Sequence, residues 1–381
     1  MSLLLISFGV TCIVTWLVIR MSVRNLDVWG DTDQESPQKV HINVVPRVGG
    51  LGIAAGIVAS LTWAGITDWD HASSLVGLGA CAAIAFIAGL VEDITKRVTP
   101  RQRLLATILA AAAAVALVDG VITRTDIPGL DPLLQIPLIA WAVTLFAVAG
   151  VANSVNIIDG FNGLASMCVA IVMAGLALVA YQVQDTLVLQ GALLGLGGIM
   201  GFFVWNYPKG RIFLGDGGAY CLGFWAAELG ILLVHRNPTV SPMFPLLLCA
   251  YPIFETVFTM YRRKVLRGRP VGQPDAGHLH SLIYRRLMRW AVGKRDAANL
   301  VRRNSMTAPY LWMLCLITAV PAVVWWNESD RLGACLGIFC LVYLLLYRSI
   351  VLFRTPSWLL RKSPQWAADK TATGVVHPSA G

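Results

Sequence analysis

The chain has 381 residues, 56% of them hydrophobic and only 13% charged, with a mean hydropathy of +0.67. No soluble domain of this length hides so much apolar surface in one core, so these values exclude a water-soluble enzyme and require lipid as solvent. The formal charge of +9 invites a nucleic-acid partner, but the charge is distributed by membrane side, and no nucleic acid is expected.

A crossing helix needs about 20 apolar residues. Such segments lie at roughly 2–19, 48–66, 73–91, 104–122, 135–152, 164–182, 186–205, 218–235, 240–261, 310–326 and 333–353. The fold expected is an all-α integral membrane protein with about eleven transmembrane helices. The first segment lacks a preceding Lys or Arg and a small-residue cleavage site, and Arg20 and Arg24 follow it, so it reads as a retained anchor. Of the 30 Lys and Arg, 27 lie on the side that holds loops 20–47, 92–103, 151–163, 206–217 and 262–309 and the C-terminal tail, Arg348 and Arg354 at the end of the last span among them, and only Arg124, Arg236 and Arg331 fall opposite. By the positive-inside rule that side is cytoplasmic, the N-terminus is outside and the C-terminus is cytoplasmic. The organisation expected is one polytopic domain over 1–355 and a flexible cytoplasmic tail over 356–381, in a plasma membrane. The eight cysteines all lie inside predicted spans without a CxxC pair, which suits apolar fillers better than zinc or redox chemistry.

The inner loops carry the polar segments. PQKVHINVVPRVGGLGI, from Pro37, holds Lys39, His41 and the Gly49-Gly50 pair ahead of the second span. VEDITKRVTPRQRL, from Val91, ends the third span on Glu92 and Asp93, two adjacent carboxylates that need a cation, a metal or water beside them. Lys96, Arg97, Arg101 and Arg103 could supply that charge, so the segment alone also reads as a self-neutralising loop. In NSVNIIDGFNGLA, Asn153, Asn156 and Asp159 recur every third residue, which would stack them along one edge of a helix end. An unpaired polar group in hydrocarbon costs several kcal/mol, which favours a ligand or a water-filled cavity over packing there. GRIFLGDGGAYCLGF, from Gly210, sets Asp216 between two glycines at the start of the eighth span, where it suits a metal or phosphate site and equally an N-cap. GHLHSLIYRRL, from Gly277, holds His278 and His280, a weak metal or phosphate signal. Around it Leu279, Leu282, Ile283, Leu287 and Trp290 recur at helical spacing, which predicts a helix lying in the headgroup region. The chemistry implied is that of an anionic cytosolic substrate meeting the membrane.

These five segments, in this order and over about residues 37–290, resemble the polyprenyl-phosphate N-acetylhexosamine-1-phosphate transferases, the MraY/WecA-type superfamily of glycosyltransferase family 4. The resemblance implies transfer of a sugar 1-phosphate from a UDP-N-acetylhexosamine, such as UDP-GlcNAc, to undecaprenyl or another polyprenyl phosphate. UMP is released, and the product would initiate a cell-surface glycan: O-antigen, exopolysaccharide or cell wall. It further implies Mg²⁺, with Mn²⁺ as an alternative, bound by Asp216 with Asn156 or Asp159 as a second contact. Asp93, beside Glu92, would deprotonate or orient the acceptor phosphate, and Arg103 would contact the diphosphate. Asn162 would meet uracil, His278 and His280 would meet phosphate or sugar, and Lys39 and Asn153 join the substrate-binding set. The partners implied are the lipid phosphate, the nucleotide sugar and the membrane, with a homodimer left open. The sequence departs from the family where Glu92 replaces the first Asp of an Asp-Asp pair, where DGFNG replaces DGxDG, and where Ser281 truncates the histidine motif. The muramoyl-pentapeptide transferase of peptidoglycan synthesis is the nearest alternative. A lipid-linked-sugar flippase is the rival from another class, disfavoured because the predicted midspans contain almost no ionisable residues.

Overall fold

The computed structural model describes residues 1–24, 45–67, 69–266, 268, 277–288 and 297–352. Among them there is no β-strand, and ten helices are long and apolar enough to cross a membrane. In chain order the helices are α1 (Ser2–Arg24), α2 (Gly50–Thr67), α3 (Trp69–Thr95), α4 (Pro100–Val118), α5 (Pro137–Ile158), α6 (Leu164–Gln182), α7 (Thr186–Asn206), α8 (Gly215–Arg236), α9 (Met243–Leu248), α10 (Ala250–Tyr261), α11 (Leu279–Leu282), α12 (Ala297–Val324) and α13 (Ser329–Val351). A four-residue turn of helix, Asp131–Leu134, precedes α5.

The predicted span over 240–261 is replaced by two shorter helices, α9 and α10, which meet at Cys249. Proline explains the break. Pro252 offers no N–H to the carbonyl of Leu248 four residues back, so helical bonding is interrupted where α9 meets α10. The third predicted span runs slightly further than expected: α3 continues to Thr95, so Glu92 and Asp93 stand inside its last turn.

The bundle is organised around α8, whose apolar window is wholly buried and which packs on α2, α3, α5, α6 and α7. Small residues permit that centrality. A Cβ at Gly223 would come within 2.7 Å of Ala152 Cα on α5, and one at Gly50 would strike the backbone of Gly218. Close backbone approach through small residues is how lipid-solvated helices gain dispersion energy when the hydrophobic effect between them is absent.

Alternation of the chain brings the C-terminal ends of α3 and α5 and the N-terminal ends of α2, α4, α6 and α8 to one end of the bundle. Helix α4 starts on a capping box, with Thr99 and Gln102 satisfying each other's backbone and Pro100 fixing the first helical φ, so Arg103 stands one turn into the helix at that same end. At the other end Arg124 donates to the carbonyls of Asn237 and Val240, and Arg236 pairs with Asp185 at 2.9 Å.

Residues 279–287 do not lie on a lipid surface as their periodicity suggested. Leu279, Leu282, Ile283 and Leu287 are buried in the protein core, and Arg286 donates to the carbonyl of Ile350 at 2.6 Å, at the C-terminal end of α13 where a cation is favoured. The amphipathic stripe was real, but its apolar face meets α12 and α13. Trp290 and the tail over 356–381 lie outside the described residues.

Candidate active site

The N-terminus of α8 is capped from another helix. Asp93 Oδ1 accepts the Asp216 N–H at 2.9 Å and Oδ2 accepts the Gly217 N–H at 2.9 Å, so one carboxylate from α3 satisfies two of the amides that every helix start leaves unpaired. Asp216 is therefore not the cap of its own helix. Its side chain turns aside: Oδ1 accepts from Asn156 Nδ2 at 3.0 Å, and Oδ2 accepts from the guanidinium of Arg103. Three helices thus contribute to one carboxylate, and a fourth fixes the backbone that carries it.

Asp159 ends α5 and joins the same cluster. Its carboxylate accepts from the Gly215 N–H. Its pKa is pushed up to about 7, first by burial; Arg47 and the Gly215 amide hold it down, while the charges of Asp216 and Asp93 push it further up. Gly215 itself sits at φ +78°, and a Cβ there would collide with the Arg47 carbonyl and approach Asp93 Oδ2 to 2.6 Å. The turn that delivers Asp216 therefore requires glycine.

The histidine loop meets the Asp159–Gly163 loop. A Cβ on Gly160 would lie 3.4 Å from His280 Nε2, and Phe161 sets its ring edge to His280 with centroids 5.5 Å apart. His280 stacks on His278 at 5.0 Å with 9° between planes.

The other predicted residues are placed differently. Asn162 is 1% exposed; its N–H donates to Asn304 Oδ1 at 2.8 Å and its Nδ2 to the Pro208 carbonyl at 3.2 Å. These contacts tie the loop to α12 and to the α7–α8 link, while the buried Asn162 Oδ1 accepts no hydrogen bond among the described residues. We expect Asn162→Ala to destabilise the fold by about 1–3 kcal/mol, the cost of orphaning the buried Pro208 carbonyl that its Nδ2 satisfies; thermal unfolding checks this. Asn153 donates to the Ala149 carbonyl at 2.7 Å and to Thr107 Oγ1 at 3.4 Å, a contact between α5 and α4 one turn from Asn156. Glu92 Oε2 accepts the Val98 N–H at 2.8 Å and closes the α3–α4 turn. Lys39 and His41 lie outside the described residues.

Sequence reasoning passed over Arg47, which faces Asp159, and Asn206, which accepts the Gly163 N–H at 2.6 Å and donates to the Ile212 carbonyl at 2.7 Å. It also passed over Glu255 behind His278. Each was a polar residue at the edge of, or within, an apolar run, which is a signal in itself.

The family model for glycosyl transferase family 4 matches residues 75–234, the stretch that supplies Asp93, Arg103, Asn156, Asp159 and Asp216. Over that stretch the chain is similar to glycosyl transferase family 4. It is 26% identical over 349 residues, covering 91% of this chain and 89% of the relative, to a Bacillus subtilis protein named probable undecaprenyl-phosphate N-acetylglucosaminyl 1-phosphate transferase. It is 28% identical over 267 residues, 67% of this chain and 70% of the relative, to the Escherichia coli K12 undecaprenyl-phosphate alpha-N-acetylglucosaminyl 1-phosphate transferase. It is 29% identical over 239 residues, 60% of this chain and 73% of the relative, to a Geobacillus kaustophilus phospho-N-acetylmuramoyl-pentapeptide-transferase. The histidine loop and its supports on α10 and α13 lie beyond the stretch the family model matches.

Proposed function

We propose that this protein is a member of glycosyl transferase family 4 that transfers a sugar 1-phosphate from a UDP-N-acetylhexosamine to a polyprenyl phosphate, releasing UMP and leaving a polyprenyl diphosphate sugar. The observation that carries this reading is the convergence of Asp216, Arg103, Asn156 and Asp159 on the capped start of α8. Phosphoryl transfer asks mainly for positioning and charge neutralisation, and this cluster offers fixed carboxylates, an amide and a guanidinium at one membrane-bundle end.

The donor set also bears on the metal. Among the described residues no three His, Cys, Asp or Glu side chains stand together as a cage. One carboxylate with a carboxamide beside it fits Mg²⁺, which keeps waters and takes its remaining ligands from substrate phosphates. Asp216 would hold it, with Asn156 or Asp159 as second contact and Mn²⁺ as the alternative ion. When bound, such an ion neutralises charge on the phosphate oxygens.

The chain's own residues do the rest. Arg103 balances Asp216 and the diphosphate, Asp93 fixes the backbone from which Asp216 projects, and Asp159 has a proton to exchange near neutral pH. A proton must leave Asp159 before it can face a cation. Apparent Mg²⁺ affinity should therefore rise about tenfold per pH unit below 7 and level off above 8; Mg²⁺-dependent thermal shifts between pH 5.5 and 8.5 read this out, and a flat profile would remove Asp159 from the ion's surroundings.

The basic loops support a cytoplasmic placement of this end, and we propose a bacterial inner-membrane location with the donor arriving from the cytosol. The N-acetylglucosaminyl reading is preferred to the muramoyl-pentapeptide one because the resemblance to the Bacillus subtilis relative extends over 91% of the chain. The deciding experiment is UMP release by purified protein given undecaprenyl phosphate, Mg²⁺ and a panel of UDP-N-acetylhexosamines. Release with UDP-GlcNAc is expected; folded protein silent with every donor defeats the proposal.

A further inference from the structure

The histidine loop is held from behind by a carboxylate that the catalytic cluster does not use. Glu255, on α10, is fully buried. Its Oε1 lies 3.1 Å from His278 Nδ1 and also accepts the Leu279 N–H at 3.1 Å, and its Oε2 accepts the Tyr343 hydroxyl of α13 at 2.7 Å. Thr259 Oγ1 stands on the same edge of His278, 3.2 Å from Nδ1. The loop is tied to α13 a second time, where the Tyr347 hydroxyl donates to the Gly277 carbonyl at 3.2 Å.

Hydrogen-bond arithmetic then fixes the ring. A carboxylate only accepts, so the nitrogen that faces Glu255 must carry a hydrogen, and Nε2 is the nitrogen left for a ligand. In the neutral ring Nε2 accepts from a sugar hydroxyl; in the charged ring it donates to a phosphate oxygen. The nitrogen offered is the same in both. Because His278 stacks on His280, and His280 abuts Gly160 and Phe161, the ring plane of His278 also sets the surface that the histidine loop shows to the Asp159–Gly163 loop.

We infer that Glu255 is a positioning residue that fixes the tautomer and ring plane of His278, with Tyr343 orienting Glu255 in turn. The inference rests on the transferase reading for its kinetic consequence only. It explains why the last helix bears on a site assembled from α3, α4, α5 and α8: α13 holds the carboxylate that holds the histidine. Outer partners that orient a histidine in metal sites are worth about 10- to 100-fold when removed, and the same lever acts here.

The test uses the full-length protein in nanodiscs with ¹⁵N-labelled histidine, the His278 ring signals being those lost in His278→Gln. Wild type should show hydrogen on Nδ1 of His278. Glu255→Leu, which has no acceptor, should lose that fixed tautomer and lower kcat about tenfold or more, with the donor KM changed less than about threefold. Glu255→Gln keeps a carbonyl acceptor and should recover most of both readouts, and Tyr343→Phe should fall between. The inference is overturned if Glu255→Leu, folded by its unfolding midpoint, keeps the Nδ1 hydrogen and turns over within twofold of wild type, or if Glu255→Gln is as impaired as Glu255→Leu. Should Glu255→Leu not fold, the Glu255→Gln and Tyr343→Phe outcomes still decide. If wild type releases no UMP with any donor, the transferase reading fails while the ring-nitrogen shifts still test the positioning.

Discussion

Asp216→Asn is expected to reduce UMP release by about 10³-fold or to background. The substitution preserves size and leaves one oxygen to accept from Asn156 or Arg103, so the loss isolates charge. Without the carboxylate charge, Arg103 keeps at most a neutral hydrogen bond at position 216, and the strongest part of its ion pairing there is lost. The loosened guanidinium would shift toward the diphosphate and hold it in the ground state, and the proposed cation site would lose its one strong ligand. Electrostatic contacts realised at the reacting phosphorus are worth about 10² to 10³ each, and Asp216 serves two of them. Initial rates of UMP release at saturating Mg²⁺, with the unfolding midpoint as a control for folding, measure the effect. A folded variant with more than a tenth of wild-type turnover would remove Asp216 from the chemistry.

The site was largely legible because membrane proteins make polar residues conspicuous: Asp159, Asn156, Asp216 and Arg103 each interrupt or end an apolar run, and apolar solvent leaves such groups few reasons to exist beyond mutual pairing or a ligand. Spacing along the chain could not say which partner satisfies which group. Asp216 looked like an N-cap because it sits in the first turn of α8, yet the cap is Asp93, more than 120 residues earlier in the chain. Asn153 and Asn162 share the polarity of Asn156, but their amide nitrogens donate to the Ala149 and Pro208 carbonyls and not to Asp216, a distinction that only three-dimensional contact makes. The break between α9 and α10 was readable from Pro252, but hydropathy averaged over a window passes smoothly across a proline. Amphipathic periodicity in 279–287 was likewise correct as a pattern and silent about whether lipid or protein meets its apolar face.

The acidic pair separates two roles that the sequence presents side by side. Asp93→Asn keeps one oxygen, which can accept one of the two α8 amides, but its NH₂ would then point at the other N–H. That leaves a buried donor unsatisfied at about 1–3 kcal/mol and removes the negative charge that a helix N-terminus favours. The start of α8 would shift to relieve the clash, and Asp216 travels with it; a displacement of about 1 Å at such a group is worth about 10² in rate. Glu92→Gln differs physically, because a single oxygen accepting the Val98 N–H is all its contact requires and a carboxamide supplies one. Asp93→Asn should therefore lower kcat about 10²-fold and reduce the unfolding midpoint, whereas Glu92→Gln should stay within about threefold of wild type in both. Equal, small losses in the two variants would show that α8 does not depend on its borrowed cap, and the positioning of Asp216 would need another cause.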